Sequence, residues 1–275
     1  MKELLLIIKE HLSHFGIIMR LARYEDKATN QGNYLGMAWQ FLNPAFQVGT
    51  YYLVFGLGLR SQGNPEAHVP YIVWMLFGLS TWFFMNGTFM AGVSSITSKV
   101  AMVSKMKFPI SILPTVRYVS DLTSFWAMLG ISIVAMLVSG VPITLHILQF
   151  FYYFIAMTAL MFSFGILNST VNVLIPDYKM LMSSVMRLLF WTSGAIWNVD
   201  RLNGNHMQQV IAGIIKLNPF YYIVDGMRDS FLSQAWFWSS DRLQYTIMFW
   251  LFVMFIALLG SHLHMKFRAR FIDLI

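Results

Sequence analysis

The stretch YIVWMLFGLSTWFFMNGTFMAGV, from Tyr71 to Val93, contains no Lys, Arg, Asp or Glu. A bilayer core about 30 Å thick needs roughly 20 apolar residues per helix, so this stretch predicts a membrane-spanning helix. The whole chain has the same character, because 57% of its 275 residues are hydrophobic and only 11% are charged. A soluble domain has about 25% charged residues, so the composition argues against a cytosolic enzyme.

Five further stretches approach the length of a span. They are Trp39 to Leu59, Val119 to Ser139, Leu148 to Val171, Leu181 to Val199 and Tyr245 to Met265. The segment from Leu181 is the weakest, because Arg187 interrupts it and it contains Gly194. Such a segment predicts a broken or re-entrant helix, with 207–215 as a matching re-entrant piece before the last span. We expect an all-α integral membrane protein, a single domain over 1–275 with a six-span core at 39–265.

The basic residues predict the orientation. With the N-terminus inside, fourteen of the 19 Lys and Arg lie in or beside cytoplasmic connections and five lie outside. The positive-inside rule then places both termini, including the basic tail 266–275, on the cytoplasmic side of the plasma membrane. The net charge of +7 is accounted for by that face, so it does not indicate a nucleic-acid partner. The chain has no cysteine, which excludes disulfides and thiolate chemistry.

Residues 1–30 predict an amphipathic helix. At about 100° per residue, Phe15 and Met19 fall on an apolar face with Leu5 and Leu12, whereas Arg20 falls on a polar face with Lys9 and Glu10. Two interpretations stay open. The helix either packs against the rest of the protein or lies in the membrane interface.

The loop between the second and third spans predicts a short basic helix on the cytoplasmic face. Ile96, Val100, Val103 and Lys107 follow helical spacing, with Lys99 and Lys105 on the other side. Phe108-Pro109 ends the helix, because proline disfavours α geometry in the residue before it. The helix is either an interfacial anchor or a docking element for a cytoplasmic partner.

Several catalytic signatures are missing from the sequence. No G-x-x-x-x-G-K-[ST] occurs, so the chain has no phosphate-binding loop of its own, and ATP with Mg²⁺ would bind a separate subunit. His11 with His14, and His262 with His264, lack a carboxylate at ligand spacing, which disfavours a metal site. No G-x-S-x-G or H-E-x-x-H is present. We therefore expect a chain that is not an enzyme and holds no cofactor.

A few polar and aromatic side chains in and before the spans are candidates for a transport pathway. Charges at membrane depth are costly, by about 3 kcal/mol, so Arg187 either reaches the interface or faces a polar path. Aromatic rings can stack on sugars, although most in this chain are expected to be interface anchors or packing. The candidate set is Tyr34, Trp39, Tyr51, Trp82, Asn86 and Arg187.

Four motifs in order along the chain resemble one family. Residues 33–44, NYLGMAWQFLNP, are similar to the L-G-x-x-W-x-x-x-x-P signature of ABC exporter permeases for polysaccharides and polyol phosphates. Lys105 to Pro109 resembles the basic loop of that family, and Leu217-Asn218-Pro219 with Arg228 resembles its late N-P-x(n)-R segment. Pro176-Asp177 departs from the Arg-Asp motif of the family. Within the family, the likeness is strongest to the permease subunits of teichoic acid exporters.

The resemblance implies a homodimer of permeases with two cytoplasmic ABC ATPase subunits, exporting an undecaprenyl-linked polymer. It also implies roles for named residues. The coupling helix that contacts the ATPase would include Lys99, Val103, Lys105, Lys107 and Phe108, and the interface helix Phe15, Met19, Arg20 and Arg23. Independently of the resemblance, the broken-helix character of 207–219 makes Asn218 and Pro219, with Arg228, candidates for an outer gate. The alternatives are an O-antigen or capsular polysaccharide permease, a drug or lipid exporter of the same superfamily, and a membrane-embedded transferase.

Overall fold

The computed structural model describes residues 1–30, 34, 36–58, 69–99, 109–202, 204–232 and 235–271, and these contain helices and no strand. The helices are α1 Lys2–Ser13, α2 Phe15–Asn30, α3 Trp39–Tyr51, α4 Tyr71–Val93, α5 Leu113–Val138, α6 Gln149–Leu174, α7 Tyr178–Thr192, α8 His206–Lys216, α9 Pro219–Leu232 and α10 Ser240–Phe267. A π-helical turn, Tyr52–Gly58, continues α3.

Among these residues, four helical segments are long and apolar enough to cross a membrane. They are Tyr71–Val93, Ile110–Val138, Leu145–Leu174 and Ser240–Arg270. The bounds of the first agree with the sequence prediction, and each of the others is longer than predicted. The count of six spans depends on α3 and α7, which have 13 and 15 residues, and it stays a prediction.

Helix α4 lies at the centre of the bundle. Of its most apolar window, 78% is buried, against 28%, 50% and 33% for the other three candidate spans. Helices α5, α6, α7 and α9 all pack against α4, which is apolar around its whole circumference. The outward faces of α5, α6 and α10 expose large apolar side chains, as expected of surfaces in contact with lipid: Ile131, Val134, Leu137, Phe151, Ile155, Leu251, Met254 and Phe255.

Helix α7 breaks where the sequence predicts. It ends at Thr192, and Gly194 then takes φ +66°, a left-handed conformation that favours glycine. Residues 195–198 are not helical, yet three of the four are buried, which is the condition for irregular backbone at membrane depth. After a short connection, α8 and α9 meet at Leu217 and Asn218. Whether this pair re-enters the membrane stays a prediction.

The N-terminal segment forms two helices, with the break at His14. Helix α1 buries Ile7, and α2 buries Ile18 and Ala22 against the start of α5. Most of the predicted apolar face of α1 is exposed, with Leu12 at 74% and Phe15, at the start of α2, at 60%. The segment thus packs on the protein by one side, and Leu12 and Phe15 lie on the other.

Polar contacts place both described termini at one end of the bundle. Glu10 accepts hydrogen bonds from Ser111 Oγ at 2.5 Å and from Arg268 Nη1 at 2.9 Å. Helix α1 therefore joins the start of α5 to the C-terminal part of α10. We call this the terminal end. At the far end, Gln149 Nε2 donates to Ala235 O at 2.8 Å.

Polar side chains inside the candidate spans are paired between and within helices. Arg117 and Asp121 form an ion pair, with Nη2 and Oδ1 2.9 Å apart, and Thr88 Oγ1 donates to Asp121 Oδ2 at 3.1 Å. Thr170 Oγ1 and His264 Nδ1 lie 3.0 Å apart. These contacts join α4 to α5 and α6 to α10.

Candidate functional site

A groove of about 310 Å³ lies between α3, α4 and α7. Each helix contributes one stripe of residues spaced three or four apart, because side chains at that spacing share a helix face. The lining residues are Gln47, Tyr51, Trp82, Phe83, Asn86, Met90, Ser183, Met186, Arg187 and Phe190. Four of the six predicted pathway residues, from three segments distant in sequence, are brought together here.

Aromatic rings form one wall of the groove. The ring of Phe190 lies 5.4 Å from that of Tyr51 and 5.5 Å from that of Trp82, measured between centroids. Trp82 is only 3% exposed and also contacts Phe220 of α9, at 5.9 Å. Because its members are packed against one another, this wall is a fixed surface and its rings have little rotamer freedom left to lose.

Polar side chains line the groove next to the aromatic rings, three, four or seven residues away on the same helices. They supply the amides of Gln47 and Asn86, the hydroxyl of Ser183 and the guanidinium of Arg187. Arg187 is exposed, and its Nη2 donates to Ser184 Oγ at 3.1 Å. None of the described lining residues is acidic, so the charge of Arg187 is not neutralised within the groove.

The remaining pathway candidates lie elsewhere. Tyr34 is fully exposed and Trp39 is 39% exposed, and neither lines the groove. Phe190, Ser183 and Gln47 also line the groove and were not predicted from the sequence. Ser183 and Phe190 could have been predicted, because they stand four residues before and three after Arg187 and so share its helix face.

The three predicted gate residues gather at the break in α7. Asn218 Nδ2 donates to Thr192 Oγ1 at 3.1 Å, its Oδ1 accepts from Phe220 N at 3.0 Å, and Pro219 is the first residue of α9. Proline is favoured at the first helical position, where its missing N–H costs nothing. These residues fix the angle at which the chain enters α9.

Arg228 is wholly enclosed behind this turn, at 1% exposure. Its Nε donates to Trp74 O at 3.1 Å, Nη1 to Gly194 O at 2.7 Å and Nη2 to Ala195 O at 2.5 Å. The guanidinium carbon also lies 3.5 Å from the centroid of the Trp74 ring. One side chain thus joins α4, α9 and the two residues at which α7 breaks. Gly78 makes room for it, because a Cβ there would overlap the guanidinium.

Of the predicted coupling residues, the structure describes Lys99, which lies at the terminal end and forms an ion pair with Glu25 of α2. Val103, Lys105, Lys107 and Phe108 fall outside the described residues, so the coupling helix stays a prediction. Phe15, Arg20 and Arg23 are exposed and Met19 is partly buried, and Arg20 Nε donates to Gly16 O at 3.2 Å.

The histidine pairs do not come together as metal sites. His11 Nε2 lies 2.9 Å from Thr115 Oγ1, and His264 is engaged with Thr170. Within the described part of the chain, no group of three or more His, Asp or Glu is placed to hold a metal ion.

Comparisons with known proteins agree on one family. The sequence model described as ABC-2 type transporter matches residues 18–232. The chain is 24% identical over 213 residues to the O-antigen export system permease protein RfbA of Myxococcus xanthus, covering 78% of this chain and 79% of that protein. It is 21% identical over 264 residues to the protein of the same name from Klebsiella pneumoniae, covering 95% of both chains.

Proposed function

This chain belongs to the ABC-2 type transporter family, and we propose that it is the permease subunit of an ATP-driven exporter of a cell-surface polysaccharide. The groove between α3, α4 and α7 carries the proposal. It combines a fixed aromatic wall with amide, hydroxyl and guanidinium groups, a surface suited to a hydrated chain that slides and is not held at one place.

The position of the groove fits a transport path. Asn86 is seven residues from the terminal end of α4, and Arg187 is nine residues into α7. At 1.5 Å per residue these distances are about 10 and 14 Å. If these two helix ends mark the membrane surface, as we propose, both side chains would lie inside a hydrocarbon core about 30 Å thick. Polar groups at that depth favour a water-filled path over lipid.

The nature of the cargo follows from the relatives. The similar proteins are named O-antigen export permeases, which favours a polysaccharide. Teichoic acid, the cargo preferred on sequence motifs, has no support among them. The lining also suits a neutral glycan, because a polyol phosphate would bring a charge at every repeat and the described lining offers one cation.

ATP hydrolysis would belong to a separate ABC ATPase subunit, as the family and the missing phosphate-binding loop imply. We place the terminal end in the cytoplasm, where loop 100–108 would contact that ATPase. Just before this loop, Lys99 forms an ion pair with Glu25 of α2. Shortly after it, Ser111 donates a hydrogen bond to Glu10 of α1. A movement of this loop would thus be transmitted to the helix bundle through α1 and α2. Two permease copies would enclose the path between them, and an undecaprenyl-linked chain would enter from the cytoplasmic side.

Deletion of the gene in its native host tests this function. We expect loss of the surface polysaccharide and accumulation of the lipid-linked glycan inside the cell, both restored by the wild-type gene. The extracted glycan should contain sugar with little phosphate in its repeats. Normal surface polysaccharide in the deletion strain would refute the proposal, and a phosphate at every repeat would return the teichoic acid alternative.

A pair of variants tests the groove. Tyr51→Ala removes a ring from the wall, whereas Phe255→Ala removes one from the outward face of α10, where the side chain is 62% exposed. At equal amounts of protein in the membrane, we expect slower export with Tyr51→Ala and normal export with Phe255→Ala. Equal export rates in the two variants would show that the aromatic wall does not line the transport path.

A further inference from the structure

A second cavity, of about 250 Å³, lies at the far end of the bundle and is separate from the groove. It is enclosed by the connection before α8, the end of α8, helix α9 and the start of α10. Pockets for drug-sized ligands run from about 300 to 1,000 Å³, so this cavity suits something smaller, of the size of one sugar residue. We call it the far-end pocket.

The aromatic faces of the far-end pocket come from Tyr221, Tyr222 and Tyr245. Tyr222 is fixed at both sides, because its Oη is 2.8 Å from Tyr152 Oη and 2.9 Å from Thr246 Oγ1. Tyr221 is 6% exposed and packs over Gly194, and Tyr222 is 5% exposed, so these two rings close the back of the pocket. Tyr245 is only partly buried, so its ring is the one on which a ligand can stack.

The cations of the pocket are already paired with carboxylates. Lys216 Nζ lies 2.6 Å from Asp200 Oδ1, and Arg242 Nη1 lies 2.8 Å from Asp225 Oδ2. Asp241 also lines the cavity, which leaves the lining with one more acid than base. An anionic ligand would meet repulsion here, whereas hydroxyl groups could donate to the carboxylates and accept from the cations.

A buried carboxylate beside the lining adds to this pattern. Asp229 is 0% exposed, and its Oδ2 lies 2.7 Å from the same Arg242 Nη1. Its Oδ1 has no hydrogen-bond donor among the described residues. A buried acceptor without a donor is uncommon, so the network around Arg242 retains acceptor capacity that the described side chains do not use.

Buried rings separate the far-end pocket from the groove. Trp82 of the aromatic wall contacts Phe220, which is 1% exposed, and the next residue of α9, Tyr221, lines the pocket. With the terminal end placed in the cytoplasm as proposed above, the pocket lies at the outer end of the bundle, where an exported chain would leave.

We propose that the far-end pocket binds one neutral sugar residue of the glycan as it leaves the permease. Tyr245 supplies the ring on which the sugar stacks, and Tyr221 and Tyr222 form the closed back of the pocket. Asp225 and Arg242 form hydrogen bonds with the sugar hydroxyls. The proposal rests on the function inferred above for its biological setting, although sugar binding itself can be measured without transport.

Saturation-transfer NMR on the full chain, purified in lipid nanodiscs, tests the proposal. The probes are the methyl glycosides of glucose, galactose and mannose, with methyl glucuronide and glycerol 3-phosphate as anionic counterparts. We expect transfer to at least one neutral glycoside and at least fivefold less to the anions. Absence of transfer to all three neutral glycosides, or stronger transfer to the anions, would overturn the proposal.

Variants at the rim of the pocket locate the binding. Tyr245→Ala should lower the transfer at least fivefold, Tyr245→Phe should retain most of it, and Tyr51→Ala in the groove should leave it unchanged. Equal melting temperatures of the three variants confirm that each is folded. Binding that survives Tyr245→Ala, or that disappears with Tyr51→Ala, would place the sugar elsewhere. If the purified chain binds sugar but the deletion strain has no export defect, the transport function is refuted and the sugar-binding pocket stands. If the deletion strain loses export but the purified chain binds no sugar, the pocket proposal is refuted and the transport function stands.

Discussion

Replacing Arg228 with Met should destabilise the whole region around the break in α7. Arg228 is 1% exposed, and it supplies the hydrogen bonds to Gly194 O and Ala195 O, at 2.7 and 2.5 Å. Both carbonyls lie where the chain is not helical, so helix hydrogen bonds cannot replace the lost donors. Met has a similar length and fills the space without a charge or a donor.

The magnitude follows from the groups left behind. Each buried acceptor without a partner costs about 1–3 kcal/mol, so the two carbonyls together cost about 2–6 kcal/mol. Loss of the guanidinium from the face of Trp74 adds up to about 2 kcal/mol. Removal of a buried charge gives part of this back, and a net loss of about 3–5 kcal/mol remains. For a chain of this size that corresponds to a fall in melting temperature on the order of 10 °C.

The assay is the melting temperature of the detergent-solubilised permease, followed by the loss of its monodisperse peak in size-exclusion chromatography after heating. Arg228→Lys should fall between wild type and Arg228→Met, because one ammonium cannot reach all three carbonyls. Gly78→Ala should destabilise through the same contact, since its methyl group would overlap the guanidinium and lie 2.5 Å from Ala195 O. If Arg228→Met cannot be purified, these two milder variants provide the test.

Arg187→Met is the matched control. It is the same substitution at an exposed position, where the side chain contacts Ser184 and no buried carbonyl. We expect a shift of no more than about 2 °C, as for most surface substitutions. If Arg228→Met and Arg187→Met have the same melting temperature, Arg228 does not stabilise the break in α7.

Two further predictions concern the terminal end. Burial lowers the pKa of His11 below 6.5, so the neutral form is favoured, with Nδ1 donating to Ile7 O and Nε2 accepting from Thr115. The stability that neutral His11 provides is present above about pH 6.5 and is lost as the pH falls from there toward the lowered pKa. Between pH 7.5 and 5.5, the melting temperature should therefore drop by more in wild type than in His11→Gln. Equal drops in the two proteins would contradict this prediction. Lys105→Glu with Lys107→Glu should abolish the stimulation of ATPase activity by the polymer in the assembled complex, with the exposed Lys179→Glu at the start of α7 as a control. Unchanged stimulation and export would exclude a docking role for the loop.

Hydropathy was sufficient to predict four helical segments that are long and apolar enough to cross a membrane. The bounds of Tyr71–Val93 agree with the structure, and the segment around Gly194 breaks as its composition indicated. Both signals are local, because an uncharged run of about 20 residues and a left-handed glycine depend on no distant part of the chain. The contacts of Arg228 could not be predicted in this way, since its partners lie at Trp74 and at Gly194.

The N-terminal segment shows why amphipathic periodicity is a weaker guide in a membrane protein. The pattern separates apolar from polar faces, yet lipid and protein core both accept an apolar face. In α1 the side that contacts the protein carries Ile7, Glu10 and His11, while Leu12 stays 74% exposed. Polar side chains were the better guide to packing here, because a buried polar group must find a partner and only the protein can supply it.

The same reasoning explains which pathway candidates came together. Asn86 and Arg187 lie in segments where lipid contact is costly, so each must face protein or water, and the groove provides that surface. Tyr34 and Trp39 precede or begin the first predicted span, where an aromatic side chain is equally stable at the membrane interface. Depth in the membrane, more than residue type, therefore decides how strongly a polar or aromatic residue indicates a pathway. Ser183 and Phe190, the neighbours of Arg187 on the same face of α7, are the next positions to test in export.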